Sequence, residues 1–323
     1  MDYRKYLDYR QSVLASWPGV IDAGDLDFYG KFDRAVKVDG LSGHKNGNIH
    51  RCHLVEDFLR VYNLDVDKGL IGFSEGVRHT LSVLMEEFKD RKWLLPNDNY
   101  PFYLETARVN SLKYETFATL QTGSLADLRD SKGAGDILLL TYPLKPSGNR
   151  YSMFDWAFLR AWLGADSKRM ILIDAVYSFD LSEEKELLEF FNESDQVTIL
   201  YSLSKVFSSP RTAGFTFTRN EDIRNLLKAL PRDDEKMELS YSLLNSESGI
   251  RRSGAIRDFV RERFSRAVAL ELVPASASKD SYLFYVPHGA STLLDSGIIA
   301  IPVSVFGSFS FGSVISTLSL PHP

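Results

Sequence analysis

Lys205 stands at the end of an apolar run, Val197-Thr198-Ile199-Leu200-Tyr201, inside the stretch SLSKVFSSPRTAGF. Ser202 and Ser204 precede it, and Arg211 and Gly214 follow. A lysine held at a strand end, with its ammonium form disfavoured, can condense with a carbonyl carbon or act as a base. A second apolar run, Met170 to Ile173, ends in Asp174 and continues as Ala175-Val176-Tyr177. That carboxylate must be solvated or paired, because burying it alone is costly. A third run ends in Gly72-Phe73-Ser74-Glu75-Gly76 and opens a helical pattern. Free N–H groups and a hydroxyl at a helix start make an anion site. Two further runs end in Tyr142-Pro143-Leu144-Lys145-Pro146-Ser147-Gly148 and Pro96-Asn97-Asp98-Asn99-Tyr100-Pro101.

The elements that must carry these residues alternate along the chain. Strand candidates are Leu70 to Phe73, Lys92 to Leu95, Tyr114 to Phe117, Ile137 to Thr141, Met170 to Ile173, Val197 to Leu200 and Gly214 to Phe217. Helical patterns lie between them: Val77 to Phe88, Met153 to Leu163 after the N-cap Ser152, and Glu183 to Phe191 after Ser182. This predicts an α/β fold with a mainly parallel seven-stranded sheet sandwiched by helices. Ligands of such sheets bind beyond the carboxyl ends of the strands, where all the residues above fall.

After residue 220 the pattern changes to a charged helical stretch, Asn220 to Lys236, and a second, Ile250 to Arg266. Short strand candidates follow at Tyr282 to Val286 and Ile298 to Ile301. The expected organisation is an N-terminal segment over 1–45, a large domain over 46–222 and a small α+β domain over 223–323, the small domain packing with the N-terminal segment.

Composition bounds the function. The 323 residues are 44% apolar and 25% charged with a net charge of −5, which gives no sign of a nucleic-acid or anionic-membrane partner. One cysteine, Cys52, rules out a disulfide framework and a thiolate metal cluster, and no metal-ligand spacing occurs elsewhere. His53 and His79 read as structural. The opening MDYRKYLDYRQSVL is too polar for a secretory signal. Ser296 to Leu320 carries no charge and is long enough to span a bilayer. Pro302, Gly307, Gly312 and the many serines there suit two buried strands and a turn instead. A soluble, cytoplasmic protein is expected.

A lysine, an aspartate, an aromatic ring, an anion cradle and an arginine on one rim meet the needs of pyridoxal 5′-phosphate (PLP). Its aldehyde needs a lysine, its phosphate needs N–H groups, hydroxyls and a cation, and its pyridine nitrogen needs a carboxylate to stay protonated.

Over about residues 45 to 220 the sequence resembles the aspartate-aminotransferase fold, the fold-type I group of PLP enzymes, and within it the class I/II aminotransferases. The family's Ser-x-Ser-Lys motif with a following Arg-x-Gly is similar to SLSKVFSSPRTAG. The resemblance implies Lys205 as the Schiff-base lysine, Ser202 and Arg211 as phosphate ligands, and Gly72, Phe73 and Ser74 as the phosphate-cradling turn. It further implies Asp174 on the pyridine nitrogen, Tyr177 on the phenolic oxygen and Tyr100 stacked on the ring. The likeness extends more loosely to Gly297-Ile298-Ile299-Ala300-Ile301-Pro302 and Phe306-Gly307. It also implies a homodimer in which a partner tyrosine reaches the phosphate. No tyrosine occurs in Leu41-Ser42-Gly43-His44-Lys45, so His44 or nothing takes that place.

The departures carry information too. Lys145 stands where the family has an asparagine, either donating to the phenolic oxygen or pointing to solvent. Arg211 follows Lys205 at a spacing two residues shorter than the family's. Ser313 to Leu318 lacks the arginine that the family uses for a substrate carboxylate. Arg251, Arg252 and Arg257 are alternatives for that task, or a solvated helix face.

Three functions follow. The first is transamination of an amino acid or amine, with Lys205 as the base at the α-carbon and Asp174 holding the ring protonated. The second keeps the site for a lyase, decarboxylase or cyclase reaction. The third is a non-catalytic binding domain, against which the joint presence of Lys205, Asp174 and Tyr177 argues.

Overall fold

The sequences of two strands fix the centre of the sheet. Ile137–Thr141 and Met170–Asp174 are buried along their whole length, as uninterrupted apolar runs covered on both faces must be. In the computed structural model, residues 2–35, 51–120, 123–130, 135–231, 233–274, 277–306 and 311–320 are described. In chain order the strands are β1 (Ile21–Asp22), β2 (Ile71–Ser74), β3 (Lys92–Pro96), β4 (Lys113–Phe117), β5 (Ile137–Thr141), β6 (Met170–Asp174), β7 (Val197–Ser202), β8 (Gly214–Thr218), β9 (Leu283–Val286), β10 (Ile298–Ile299), β11 (Ile301–Pro302) and β12 (Ser313–Ser316). The helices are α1 (Tyr3–Ser16), α2 (Phe28–Ala35), α3 (Arg51–Val61), α4 (Val77–Glu87), α5 (Phe102–Val109), α6 (Ala126–Asp130), α7 (Met153–Gly164), α8 (Lys185–Glu193), α9 (Leu203–Val206), α10 (Glu221–Ala229), α11 (Asp234–Asn245), α12 (Glu247–Ala269) and α13 (Ala290–Asp295).

The large sheet has seven strands in the order β2-β8-β7-β6-β5-β3-β4. All are parallel except β8, which runs antiparallel to both β2 and β7. Alternate side chains feed two cores, as the strand period of two requires. Leu138, Leu140, Ile171, Ile173 and Ile199 face one side, under Phe58 of α3, Trp156 of α7, Phe190 of α8 and Met237 of α11. Ile137, Leu139, Leu172 and Leu200 face the other, under Leu81 and Leu84 of α4, Tyr103 of α5 and Ile223 of α10. This is the predicted sandwich. Strand order brings the carboxyl ends of β2, β3, β5, β6 and β7, and the start of β8, to one rim.

The terminal segments pack together. β1 pairs in parallel with β10, and β12 lies between β9 and β11 in a three-stranded antiparallel sheet. Tyr6, Phe28 and Phe32 share a buried cluster with Ile256, Tyr282 and Val314. The uncharged stretch after Ser296 forms β10, β11, a 3-10 turn and β12, and no helix among the described residues is long and apolar enough to cross a membrane.

Three local expectations change. Asp180, rather than Ser182, caps the turn before α8: its carboxylate accepts from Ser182 N–H at 3.0 Å and from Ser182 Oγ at 2.6 Å, so that hydroxyl is spent and the helix begins at Lys185. The charged stretch Asn220 to Lys236 divides into α10 and α11 because Leu230, ahead of Pro231, is extended. The single strand expected over Ile298 to Ile301 is two short ones with different partners.

Candidate active site

The sheet rim opens into a cavity of about 950 Å³ whose lining includes Tyr100, Lys145, Asp174, Tyr177, Ser202 and Lys205. They arrive from the ends of four strands, β3, β5, β6 and β7. Asp174 is the last residue of β6, and Ser202 the last of β7. Ser202 Oγ accepts from Ser204 N–H at 3.2 Å and so starts α9, the single turn that carries Lys205. Asn99, buried in the β3–α5 loop, donates to Thr141 Oγ1 at 3.0 Å and to the Lys145 carbonyl at 2.9 Å. That amide locks the loop bearing Tyr100 to the loop bearing Lys145.

Asp174 is 3% exposed and fully engaged with this protein's own groups. Its carboxylate accepts from Tyr103 Oη at 2.5 Å and from Val176 N–H at 3.0 Å, and Lys145 Nζ lies 3.6 Å away. Lys145 therefore points into the site rather than to solvent. It sits 3.8 Å above the centre of the Tyr177 ring, whose hydroxyl accepts from Tyr282 Oη at 2.7 Å. Burial, opposed by Asp174, brings the Lys145 ammonium down to about 8, and burial pushes the Tyr177 phenol up.

Lys205 lies among aromatic rings, 4.3 Å from the centre of Tyr29 and 4.5 Å from that of Phe28. Burial, then the charges of Lys145 and Arg78, lower its pKa from 10.5 to about 7, with Asp174 and Asp27 acting in the opposite sense. Near neutral pH much of Lys205 is then a free amine, the form that attacks a carbonyl and accepts a proton.

The residues that line the cavity beside Ser202 come just after Gly72-Phe73-Ser74 in the chain. Gly72 faces α10, where an added Cβ would meet Leu227 Cδ1 at 2.5 Å, and Phe73 is buried in the core beside β8. Ser74 is buried behind the cavity and accepts from Gly76 N–H at 3.3 Å. The cavity wall is formed instead by Glu75, Gly76, Val77 and Arg78, because β2 runs on through Ser74 before the turn. Gly76 has φ +126°, a value that favours glycine, and offers α4 no side-chain cap. The first N–H groups of α4 have no intrahelical acceptor, and the residues that carry them line the same cavity as Ser202. Gly214 closes the cradle from below: a Cβ there would sit 2.6 Å from Gly76 Cα.

Arg211 is not in the cavity wall. Its side chain is 73% exposed and reaches outward to Glu235 at 3.6 Å, while Thr212 and Lys236 face inward. Arg252 is buried with Nε on the Phe207 carbonyl, Arg257 pairs with Asp180, and Arg251 pairs with Glu247 on the surface; none of them lines the cavity. His44 and Gly307 lie outside the described residues. The structure adds Phe28, Tyr29, Arg78, Lys236 and Tyr282, which sequence reasoning missed. Phe28 and Tyr29 had a signal in the aromatic cluster of Leu26-Asp27-Phe28-Tyr29, but nothing local ties that cluster to Lys205.

The donor set fits PLP. A lysine partly neutral near pH 7, a buried carboxylate on the neighbouring strand, an aromatic face and a helix start with no side-chain cap would hold the aldehyde, the ring nitrogen, the ring and the phosphate respectively.

Comparison with known proteins agrees. No curated protein matches the chain. Among solved structures, the Clostridium acetobutylicum histidinol-phosphate aminotransferase superposes with a TM-score of 0.66 at 15% identity, over 92% of this chain and 94% of that one. A probable N-succinyldiaminopimelate aminotransferase from Thermus thermophilus gives 0.66 at 21% identity, over 99% and 95%. A PLP-bound C-S lyase from Staphylococcus hominis gives 0.65 at 14% identity, over 94% and 88%. These likenesses show a shared fold. The family described as aminotransferase class I and II matches residues 50–233, which include Asp174 and Lys205. The chain belongs to the class I and II aminotransferases, and is a PLP-dependent enzyme.

Proposed function

We propose that the protein transaminates an amino acid or amine, with Lys205 as the catalytic residue. The observation that carries this reading is the placement of Lys205 and Asp174 at the ends of adjacent parallel strands, in one cavity, with Lys205 partly neutral near pH 7. Bound PLP would supply an electron sink for the bond broken at the substrate's α-carbon. The chain's own residues do the rest. Lys205 Nζ would hold the cofactor's aldehyde carbon, and as a free amine it is placed to take a proton from the substrate's α-carbon. Asp174 would pair with the ring nitrogen and keep it protonated. Tyr177 and Lys145 are the groups for the phenolic oxygen, Tyr100 for the ring face, and Gly76, Val77 and Ser202 for the phosphate. Phe28 and Tyr29 exclude water from Lys205.

A lyase reaction is the second reading, favoured by β12: no residue from Ser313 to Leu318 carries a charge, so the family's carboxylate anchor is missing. We further infer a homodimer and a cytoplasmic location, which the family resemblance and the composition support.

The test is the visible spectrum of the purified protein with PLP, before and after borohydride, for wild type and Lys205→Ala. A borohydride-trapped band in wild type that the variant lacks supports the assignment. An amine panel with and without a keto acid then separates the reactions, since only a transaminase requires the acceptor.

A further inference from the structure

Lys236, and not Arg211, lines the cavity that Gly76 and Ser202 also line, and we propose that Lys236 binds the cofactor's phosphate; the proposal rests on the PLP reading above.

The turn between α9 and β8 fixes which way Arg211 points. Thr212 is 1% exposed and donates its Oγ1 to the Ser209 carbonyl, while the next residue, Ala213, donates its N–H to Ser240 Oγ at 2.8 Å. With the two residues that follow it pinned inward, Arg211 is left outside with Glu235, whose own side chain is 86% exposed. An ion pair so exposed adds little affinity or stability.

The same contact aims Lys236 inward. Ser240 and Lys236 are one turn apart on α11, so they share a face. That face meets β8 at Ser240 and the start of α4 at Lys236. Lys236 Nζ lies 3.1 Å from Glu75 Oε2 and 3.5 Å from the Glu75 carbonyl, one residue before the cradle glycine. Its side chain is 22% exposed. A phosphate at the N-terminus of α4, beside Ser202, comes within reach of this ammonium, and such charge-assisted bonds are among the stronger ones.

Two carboxylates hold Lys236 at the rim, Glu75 and, at 3.5 Å, Asp233. Phosphate competes with them for the ammonium. Arg78, the other cation near this end, lies 5.1 Å over Tyr100 and 5.3 Å over Phe102 and serves as the comparison.

The experiment measures binding of PLP and of pyridoxal, which lacks the phosphate, to the full chain by the visible band of the lysine-linked form. Lys236→Met is expected to weaken PLP about 10- to 100-fold, the value of a charge-assisted bond, with pyridoxal unchanged. Lys236→Arg should recover most of the loss, Arg211→Gln should match wild type, and Glu75→Gln should tighten PLP by removing a competitor. Equal losses for PLP and pyridoxal in Lys236→Met overturn the proposal by showing a structural role. A selective PLP loss in Arg211→Gln or Arg78→Gln, with Lys236→Met unaffected, overturns it as well. If wild type forms the band with neither compound, the PLP reading fails before any variant is compared, and this proposal falls with it.

Discussion

Lys145 Nζ bridges two groups of the site, standing 3.6 Å from Asp174 Oδ2 and 3.8 Å above the Tyr177 ring. A positive charge held there opposes a second positive charge nearby, and it already lowers the pKa of Lys205. Replacing Lys145 by Asn should therefore raise the pH at which the lysine-linked cofactor loses its proton, by about one unit. A pH titration of the visible band in wild type and Lys145→Asn measures it. An unchanged midpoint would mean that Lys145 does not act on the reacting nitrogen.

Lys205 gives a pH dependence with a definite sign. Its pKa is lowered from 10.5 to about 7, so the reactive free amine appears as pH rises through about 7. Attachment of pyridoxal to the cofactor-free protein should follow that rise. Between about 7 and 10.5 the unfolded chain binds more protons at this position than the folded one, so this group makes stability increase with pH across that window. Below pH 7 its penalty is largest, and Lys205→Met should there raise the melting temperature while abolishing attachment.

Asp174 is expected to matter for turnover more than for attachment. Asp174→Ala removes the acceptor for Tyr103 and the counter-charge for Lys145. Pyridoxal should still react with the lysine, whereas turnover with any accepted amine falls about 100-fold or more. Single-turnover kinetics beside the spectrum separates the two effects.

Two glycines separate the expected cradle from the turn that lines the cavity. Gly214→Ala places a Cβ 2.6 Å from Gly76 Cα and 2.7 Å from Ser74 Oγ, both on rigid structure. It should cost about 1–3 kcal/mol and weaken PLP more than pyridoxal. At Gly72 the nearest atom is the tip of Leu227, so Gly72→Ala should lower the melting temperature and leave cofactor affinity alone. Thermal melts and cofactor titration on the two variants decide.

Much of the rim was legible because a polar residue ending an uninterrupted apolar run has no structural need to be there. Asp174, Ser202 and Lys205 were readable on that ground, and the alternation of runs and helices gave the sheet. Gly72-Phe73-Ser74 looks like a turn locally, but pairing with Phe215 and Gly214 keeps it extended, so that Glu75 to Arg78 line the cavity. Arg211 points away from the cavity, and Lys236, which the sequence did not single out, lines it, for a related reason. Which side of a turn faces a cavity depends on a contact such as Ala213 with Ser240, between residues far apart in sequence. The two-residue strand β1 is too short to leave a pattern.

The pairing of Ile21 with Ile298 joins segments that lie far apart in sequence. Phe28 and Tyr29, which shield Lys205, follow the first segment, while Tyr282 and Val314, in the cluster that seats Phe28, flank the second. Part of the burial that lowers the pKa of Lys205 therefore comes from outside the large sheet, and a substitution that loosens the β1–β10 pairing should make the lysine less reactive without touching the sheet itself.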